Sequence, residues 1–259
     1  MNILDKIIDQ KRREVAEIKK NGLVPPGREI APIRAFRQAL VENQGVSIIA
    51  EVKKASPSKG LICRDFDPVQ IAMDYELGGA RAVSVLTDRQ FFQGSLEYLA
   101  MIRENTALPL LRKDFIIDHL QVEEASLYGA DAVLLIAAVL EKSLLSELIH
   151  HCSERGINAL VEVHEEAEAE KALHAGAELV GINNRNLKDF SVSLDTTFRI
   201  NSILPEDMPV VSESGISTPD DIAKLKEAGI SAALIGEALV KDANRRVSAL
   251  AAMVEAGAG

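Results

Sequence analysis

The chain has 259 residues, 47% hydrophobic and 26% charged, an ordinary globular composition. Its formal net charge of −10 at pH 7 argues against a nucleic-acid-binding surface but leaves room for a local pocket holding one small phosphate. No apolar run reaches membrane-spanning length and the charged N-terminus lacks a signal-peptide core, while Cys63 and Cys152 form no metal or redox motif; a reducing cytoplasm is the expected compartment.

Residues 2–20 are predicted as an amphipathic helix, with Ile3, Ile7 and Ile8 on one face and Asp, Lys and Arg around the rest. A Pro-Pro-Gly break at 25–27 ends this arm, and a second short helix is predicted over 35–41. Residues 1–46 are therefore read as a helical extension, because a repeating pattern begins only at Ser47.

From there strands are predicted near 47–53, 82–87, 109–113, 132–137, 158–163, 179–183, 209–213 and 232–236. Helices fill the gaps, near 68–77, 95–104, 119–128, 141–154, 165–175, 195–202, 218–228 and 243–256. Gly79, Gly129, Gly176 and Gly229 recur at intervals of about fifty residues, each suited to a left-handed helix cap with a strand directly after it. Pro68 and Pro219 fall where first-turn prolines belong. Eight strands alternating with eight helices imply a wholly parallel α/β sheet. At this length the closed (β/α)₈ TIM barrel is favoured over an open doubly wound sheet, and no Gly-rich dinucleotide turn follows the first strand. The expected organisation is one barrel domain, 47–259, carrying the extension 1–46.

The first strand, Ile48 to Lys53, starts apolar and ends in charge before breaking at Ser-Pro-Ser. Alternation puts Ile49, Glu51 and Lys53 on one face. The pattern recurs: Leu111 precedes Lys113 by two positions, Leu160 precedes Glu162, Gly181 precedes Asn183 and Val211 precedes Glu213. In a barrel these faces point inward and the polar members form the top layer, so Glu51, Lys53, Lys113, Glu162, Asn183 and Glu213 converge on one mouth. The bland alternative is an ion-pair network that merely closes the barrel, yet apolar packing would fill that layer at lower desolvation cost. Carboxylates facing ammonium groups in a half-enclosed cavity suit acid–base work. Phe92, Phe115, Leu134 and Leu187 fall at the same level and can form apolar walls, or else plain packing.

Ser214-Gly215-Ile216 follows the seventh strand and Gly236-Glu237-Ala238 follows the eighth, the two loops that cradle phosphate in many barrels. Lys53 and Ser56 can add a cation and a hydroxyl from the first loop. The five histidines, His119, His150, His151, His164 and His174, show no zinc spacing and are read as structural or solvent-facing. No metal site is expected.

On these segments the chain resembles the indole-3-glycerol phosphate synthases of tryptophan biosynthesis. The carrying residues are Ile49-Ala50-Glu51-Val52-Lys53-Lys54-Ala55-Ser56-Pro57-Ser58-Lys59-Gly60, Leu111-Arg112-Lys113-Asp114-Phe115 and Val161-Glu162-Val163-His164. Gly181-Ile182-Asn183-Asn184-Arg185-Asn186-Leu187, Ser212-Glu213-Ser214-Gly215-Ile216 and Leu234-Ile235-Gly236-Glu237-Ala238-Leu239 complete the set. The resemblance covers the whole chain, extension included. The Glu-Val-Lys-Lys-Ala-Ser-Pro-Ser run is highly specific, whereas the Ser-Gly-Ile and Ile-Gly segments are shared by many phosphate-binding barrels. Asn186 departs from the Asp usual in the family. The resemblance implies a cofactor-free ring closure of 1-(2-carboxyphenylamino)-1-deoxyribulose 5-phosphate with loss of CO₂ and water. It implies Lys113 as general acid, Asn183 and Arg185 at the departing carboxylate, and Glu162, Glu51 and Lys53 in dehydration. Glu213 and Ser214 would orient the substrate; Lys53, Ser56, Gly215 and Gly236 would hold its phosphate. The only partner implied is that small phosphorylated substrate, with the chain a monomer open to association with other tryptophan-pathway enzymes. Two rivals stand beside this reading. A phosphoribosylanthranilate isomerase-like barrel would rely on a cysteine–aspartate pair, for which Cys63 lies too far past its strand. A non-catalytic phosphate-ligand-binding barrel would tolerate loss of mouth residues, and all six are present.

Overall fold

A computed structural model describes residues 3–42, 44–187, 190–240 and 243–259; Asn2, the predicted first residue of the N-terminal helix, lies outside them. The eight barrel strands are Ser47–Val52, Ala82–Leu86, Leu110–Lys113, Ala132–Ile136, Asn158–Val163, Val180–Asn183, Val210–Glu213 and Ala232–Ile235. They pair in sequence order, all parallel, and the first closes on the eighth with Ser47 opposite Ala232 and Ala50 opposite Ile235. The predicted TIM barrel is therefore present, with strand ends displaced by at most one residue from those expected.

Most strands are buried on both faces, the condition that turns a parallel strand into a continuous apolar run such as Ala132–Ile136. Two apolar layers result. Ile49, Leu111, Leu160 and Val211 fill the barrel interior, as the alternation predicted, while Ile48, Ala50, Val52 and their counterparts pack outward against the helices. Helix starts are fixed locally. Asp67 accepts from the backbone N–H of Val69 and Gln70 ahead of Pro68, and Thr218 with Asp221 forms a capping box around Pro219. All four predicted cap glycines have φ between +73° and +90°, a region where a Cβ would be strained.

Elements too short for a periodic signal went unpredicted: the hairpin pairing Ala55–Ser56 with Gly60–Leu61, and the four-residue helix Arg89–Phe92. The extension wraps both ends of the barrel. Helix Phe36–Val41 plugs the bottom, its Phe36 and Leu40 fully buried in the interior layer, and Ser47 Oγ donates to the Leu40 carbonyl at 2.8 Å. Helix Ile3–Asn21 lies across the loops at the top, burying Ile7, Ile8 and Val15 and, against expectation for a charged residue, Lys11. None of the described helices is long and apolar enough to cross a membrane.

Candidate active site

The C-terminal strand ends bring three ion pairs together. Lys113 Nζ lies 3.0 Å from Glu162 Oε2 and also donates to Glu213 Oε2, joining the third, fifth and seventh strands. Lys53 Nζ donates to Glu51 Oε2 at the end of the first strand. All three carboxylates are buried, and Glu213 Oε1 has no hydrogen-bond partner among the described residues. Burial pulls the Lys113 pKa down, but Glu162, Glu213 and Glu51 outweigh it and hold the ammonium above the ordinary lysine value. Burial likewise works to neutralise Glu162, yet Lys113 and His164 keep it well below the usual carboxylate range. For Glu213 burial wins: with Glu162 and Glu51 nearby, its pKa is raised despite the contact with Lys113. One ammonium thus faces one firmly ionised carboxylate and one that protonates readily.

Two glycines make room for these groups. A Cβ on Gly181 would collide with Glu213 Oε1 and lie 3.2 Å from Leu160 Cδ1. The position predicted as merely small beneath Asn183 is the floor under a neighbouring carboxylate. Gly181→Ala should therefore push Glu213 off Lys113 and lower turnover by up to about a hundredfold, the scale of a 1 Å misplacement, while circular dichroism stays that of the parent. Unchanged kinetics would mean that the cradle is not needed. Gly236 plays the same part for the other pair: its Cβ would strike Glu51 Oε2 and stand 3.0 Å from Lys53 Nζ. Substitution at Gly236 thus disturbs an ion pair as well as any anion at the loop.

The loop after the seventh strand carries backbone strain. Ser214 has φ +66° and Gly215 φ +79°, and a Cβ on Gly215 would strike Val192 Cγ1. What holds Ser214 is Asn184, a residue missed because it faces away from the mouth. Its Nδ2 donates to Ser212 Oγ and to the Ser214 carbonyl, each at 3.0 Å, and its Oδ1 accepts from Thr197 Oγ1 at 2.8 Å. Asn183 faces inward as predicted, its Oδ1 accepting the Arg185 N–H at 3.0 Å.

A cavity of about 440 Å³ opens at this mouth. Every predicted site residue lines it: Glu51, Lys53, Ser56, Phe92, Lys113, Phe115, Leu134, Glu162, Asn183, Arg185, Leu187, Glu213, Ser214, Gly215 and Gly236. Phe92 and Phe115 lie 6.1 Å apart, ring centre to ring centre, on one wall. The extension contributes Ile3, Leu4 and Ile7, unforeseen because nothing in sequence says where an amphipathic helix docks. Cys63 is buried outside the lining, and Cys152 is a buried free thiol pushed up to about 12 by desolvation.

Behind the wall lies a second cluster that sequence did not signal. Lys11 of the N-terminal helix lies 2.8 Å from Asp88 Oδ2 and 2.8 Å from Asp114 Oδ1, with 2% of its side chain exposed. Arg112 Nη2 reaches Asp114 Oδ2 at 3.1 Å. Asp88 accepts the backbone N–H of Phe91 and Phe92, and Asp114 that of Phe115. The two wall phenylalanines are thus anchored through carboxylates that Lys11 neutralises.

Of the five histidines, His164 stands nearest the mouth carboxylates. His119 and His150 are solvent-facing, but His164 is 9% exposed in its side chain and stands 3.3 Å from Glu162 Oε1.

The pattern of the indole-3-glycerol phosphate synthase family matches residues 4–250. An indole-3-glycerol phosphate synthase of Desulfotalea psychrophila is 57% identical over 244 residues, covering 93% of this chain and 94% of its own length. One from Chlorobium luteolum is 51% identical over 244 residues, 92% of this chain and 93% of its own. Among solved structures, KGPDC from Streptococcus mutans superposes with a TM-score of 0.65 at 11% identity, over 82% of this chain and 97% of that one. Thiamine phosphate pyrophosphorylase from Pyrococcus furiosus does so at 0.62 and 17%, over 83% and 96%. At such identities the two structures speak to the fold alone.

Proposed function

Because the chain belongs to the indole-3-glycerol phosphate synthase family, carboxy-lyases of tryptophan biosynthesis, we propose how its mouth closes an indole ring. The substrate is 1-(2-carboxyphenylamino)-1-deoxyribulose 5-phosphate. Lys113 donates a proton to the ketone oxygen as the carboxylate-bearing ring carbon attacks the carbonyl carbon, so that a C–C bond forms and the carbonyl becomes a hydroxyl. The ring–carboxylate bond then breaks, CO₂ leaves, and its bonding electrons restore the aromatic ring. Finally the hydroxyl departs as water with a proton from Lys53, while Glu162 takes a proton from the adjacent methylene carbon. One molecule of CO₂ and one of water are lost, with no net oxidation.

The observation that carries this reading is the Lys113 ammonium held against Glu162 and Glu213 beside an aromatic wall. Asn183 and Arg185 receive the substrate carboxylate, and Glu213 and Ser214 orient the sugar hydroxyls. Lys53, Ser56, Gly215 and Gly236 take the phosphate, and Phe92, Phe115, Leu134 and Leu187 take the anilino ring; their shared lining of one cavity supports this division. The chain is read as one domain, 1–259, whose extension and barrel both line the cavity, and as acting as a monomer. The biosynthetic family and the two free buried thiols support a cytoplasmic setting.

The test is steady-state turnover of the anilino-ribulose phosphate, followed by indole absorbance, with inorganic phosphate as competitor. Turnover with competitive inhibition is expected. Ser56→Ala should weaken phosphate inhibition by about 1.5–3 kcal/mol, the value of one hydrogen bond to a charged group. Absence of turnover would leave a phosphate-binding barrel, and equal inhibition in the Ser56 variant would move the anion elsewhere.

A further inference from the structure

When Lys113 gives up its proton it stops being a cation, and the buried Glu162 beside it loses that partner. His164 is placed to remain as one. It follows the last residue of the fifth strand, Val163, and its ring turns back toward Glu162. Nε2 lies 3.3 Å from Glu162 Oε1, while Nδ1 lies 3.2 Å from Glu168 Oε2 on the following helix. The same Glu168 oxygen accepts the backbone N–H of His164 at 2.7 Å, so ring and backbone are pinned together. The other oxygen of Glu162 is the one that Lys113 contacts. Glu162 therefore sits between two cations that use different oxygens.

We infer that His164 is a positioning residue: an imidazolium bridging Glu168 and Glu162 that fixes the Glu162 carboxylate for its proton transfer. The inference rests on the assignment of Glu162 as the base of dehydration. Burial alone would discharge the ring, but hydrogen bonds to Glu162 and Glu168 outweigh it and hold the His164 pKa at about 10. With a hydrogen on each nitrogen the ring donates Nδ1–H to Glu168 and holds its charge 3.3 Å from Glu162 Oε1, an ion-pair contact that a neutral tautomer cannot supply. Of the other charged groups at the mouth, Glu213 and Glu51 are carboxylates facing Lys113 and Lys53 is paired with Glu51, so none takes over from His164. Lys113 is thus free to change charge during ring closure while Glu162 keeps an ion-pair partner for the later step.

The test is a double-mutant cycle of His164→Gln and Glu162→Gln, reading kcat and KM separately. His164→Gln should lower kcat about tenfold, within the range for directly coupled side chains, and leave KM within about twofold. In the Glu162→Gln background the same change should alter kcat by less than about twofold, because the group it acts through is gone. Glu168→Gln, which loosens the ring from the far side, should lower kcat in the same direction by less, and it serves should the His164 variant fail to fold. An equal loss in both backgrounds, a loss carried by KM, or no loss would overturn the inference. Glu162→Gln with parental kcat would overturn the base assignment itself, and the inference with it; that outcome is recognised without any His164 variant.

Discussion

Lys113→Ala is expected to lower kcat by about two to four orders of magnitude, the usual worth of a general acid, with little change in affinity for the product. The ammonium makes its strongest contact only as the ketone oxygen gains charge, so its loss is felt in the transition state more than in binding. The barrel should remain folded, because the interior layer of Ile49, Leu111, Leu160 and Val211 lies below the mouth and is untouched. The variant leaves Glu162 and Glu213 buried without the cation between them, so both should take up protons more readily than in the parent. Kinetics at saturating substrate, with product affinity from indole fluorescence, check this. Near-parental turnover would pass the acid role to Lys53.

Lys11→Met should cost about 3–5 kcal/mol of stability at pH 7, the loss seen when one partner of a buried ion pair is removed. Asp88 and Asp114 would stay buried with their shared cation gone. The sign of the pH dependence follows from Asp114, whose carboxyl is driven below the ordinary range by Lys11 and Arg112 in spite of burial. A depressed carboxyl contributes stability above its unfolded value, near 3.9, and that contribution is lost as pH falls through the folded value. Lys11, raised in the fold, contributes fully at neutral pH and loses that contribution only at high pH. The gap between parent and variant should therefore be widest near neutrality and narrow at acid pH, as Asp114 of the variant, without Lys11 to hold it ionised, protonates before that of the parent. Urea unfolding at two pH values measures it. An equal gap at both would mean that Lys11 acts through its methylene packing and not its charge.

The barrel and its mouth were legible because both are written in local order. Strand alternation puts Ile49 beneath Glu51 and Leu160 beneath Glu162 whatever the rest of the chain does. The groups that complete the site are fixed by meetings between distant segments. Lys11 reads as one more charge on an amphipathic helix until Asp88 and Asp114 arrive beside it. Gly181 reads as a small residue in a strand until a carboxylate from the neighbouring strand occupies the space above it. His164 belongs to the Val-Glu-Val-His motif, yet its partner Glu168 lies on the following helix, and only the turn between them aims the ring at Glu162.

The order in which the parts are made differs from the order in which they can be joined. The first barrel strand finds its second neighbour only in the eighth, and the N-terminal helix finds its seat only after Asp114 exists. A chain emerging from the ribosome must therefore carry the helix unseated until nearly half of it is made, and the strand unclosed until almost all of it is. Its first helix has an isoleucine face with nothing to cover it, and its first strand has an open edge. Closure is then a late, long-range event, the kind that folds slowly and leaves partly built species exposed to one another. A buried lysine suits that schedule. Before docking, its charge keeps the helix hydrated along the very face that will be buried; after docking, the same charge is neutralised by two carboxylates drawn from loops that exist only once the barrel has begun to form.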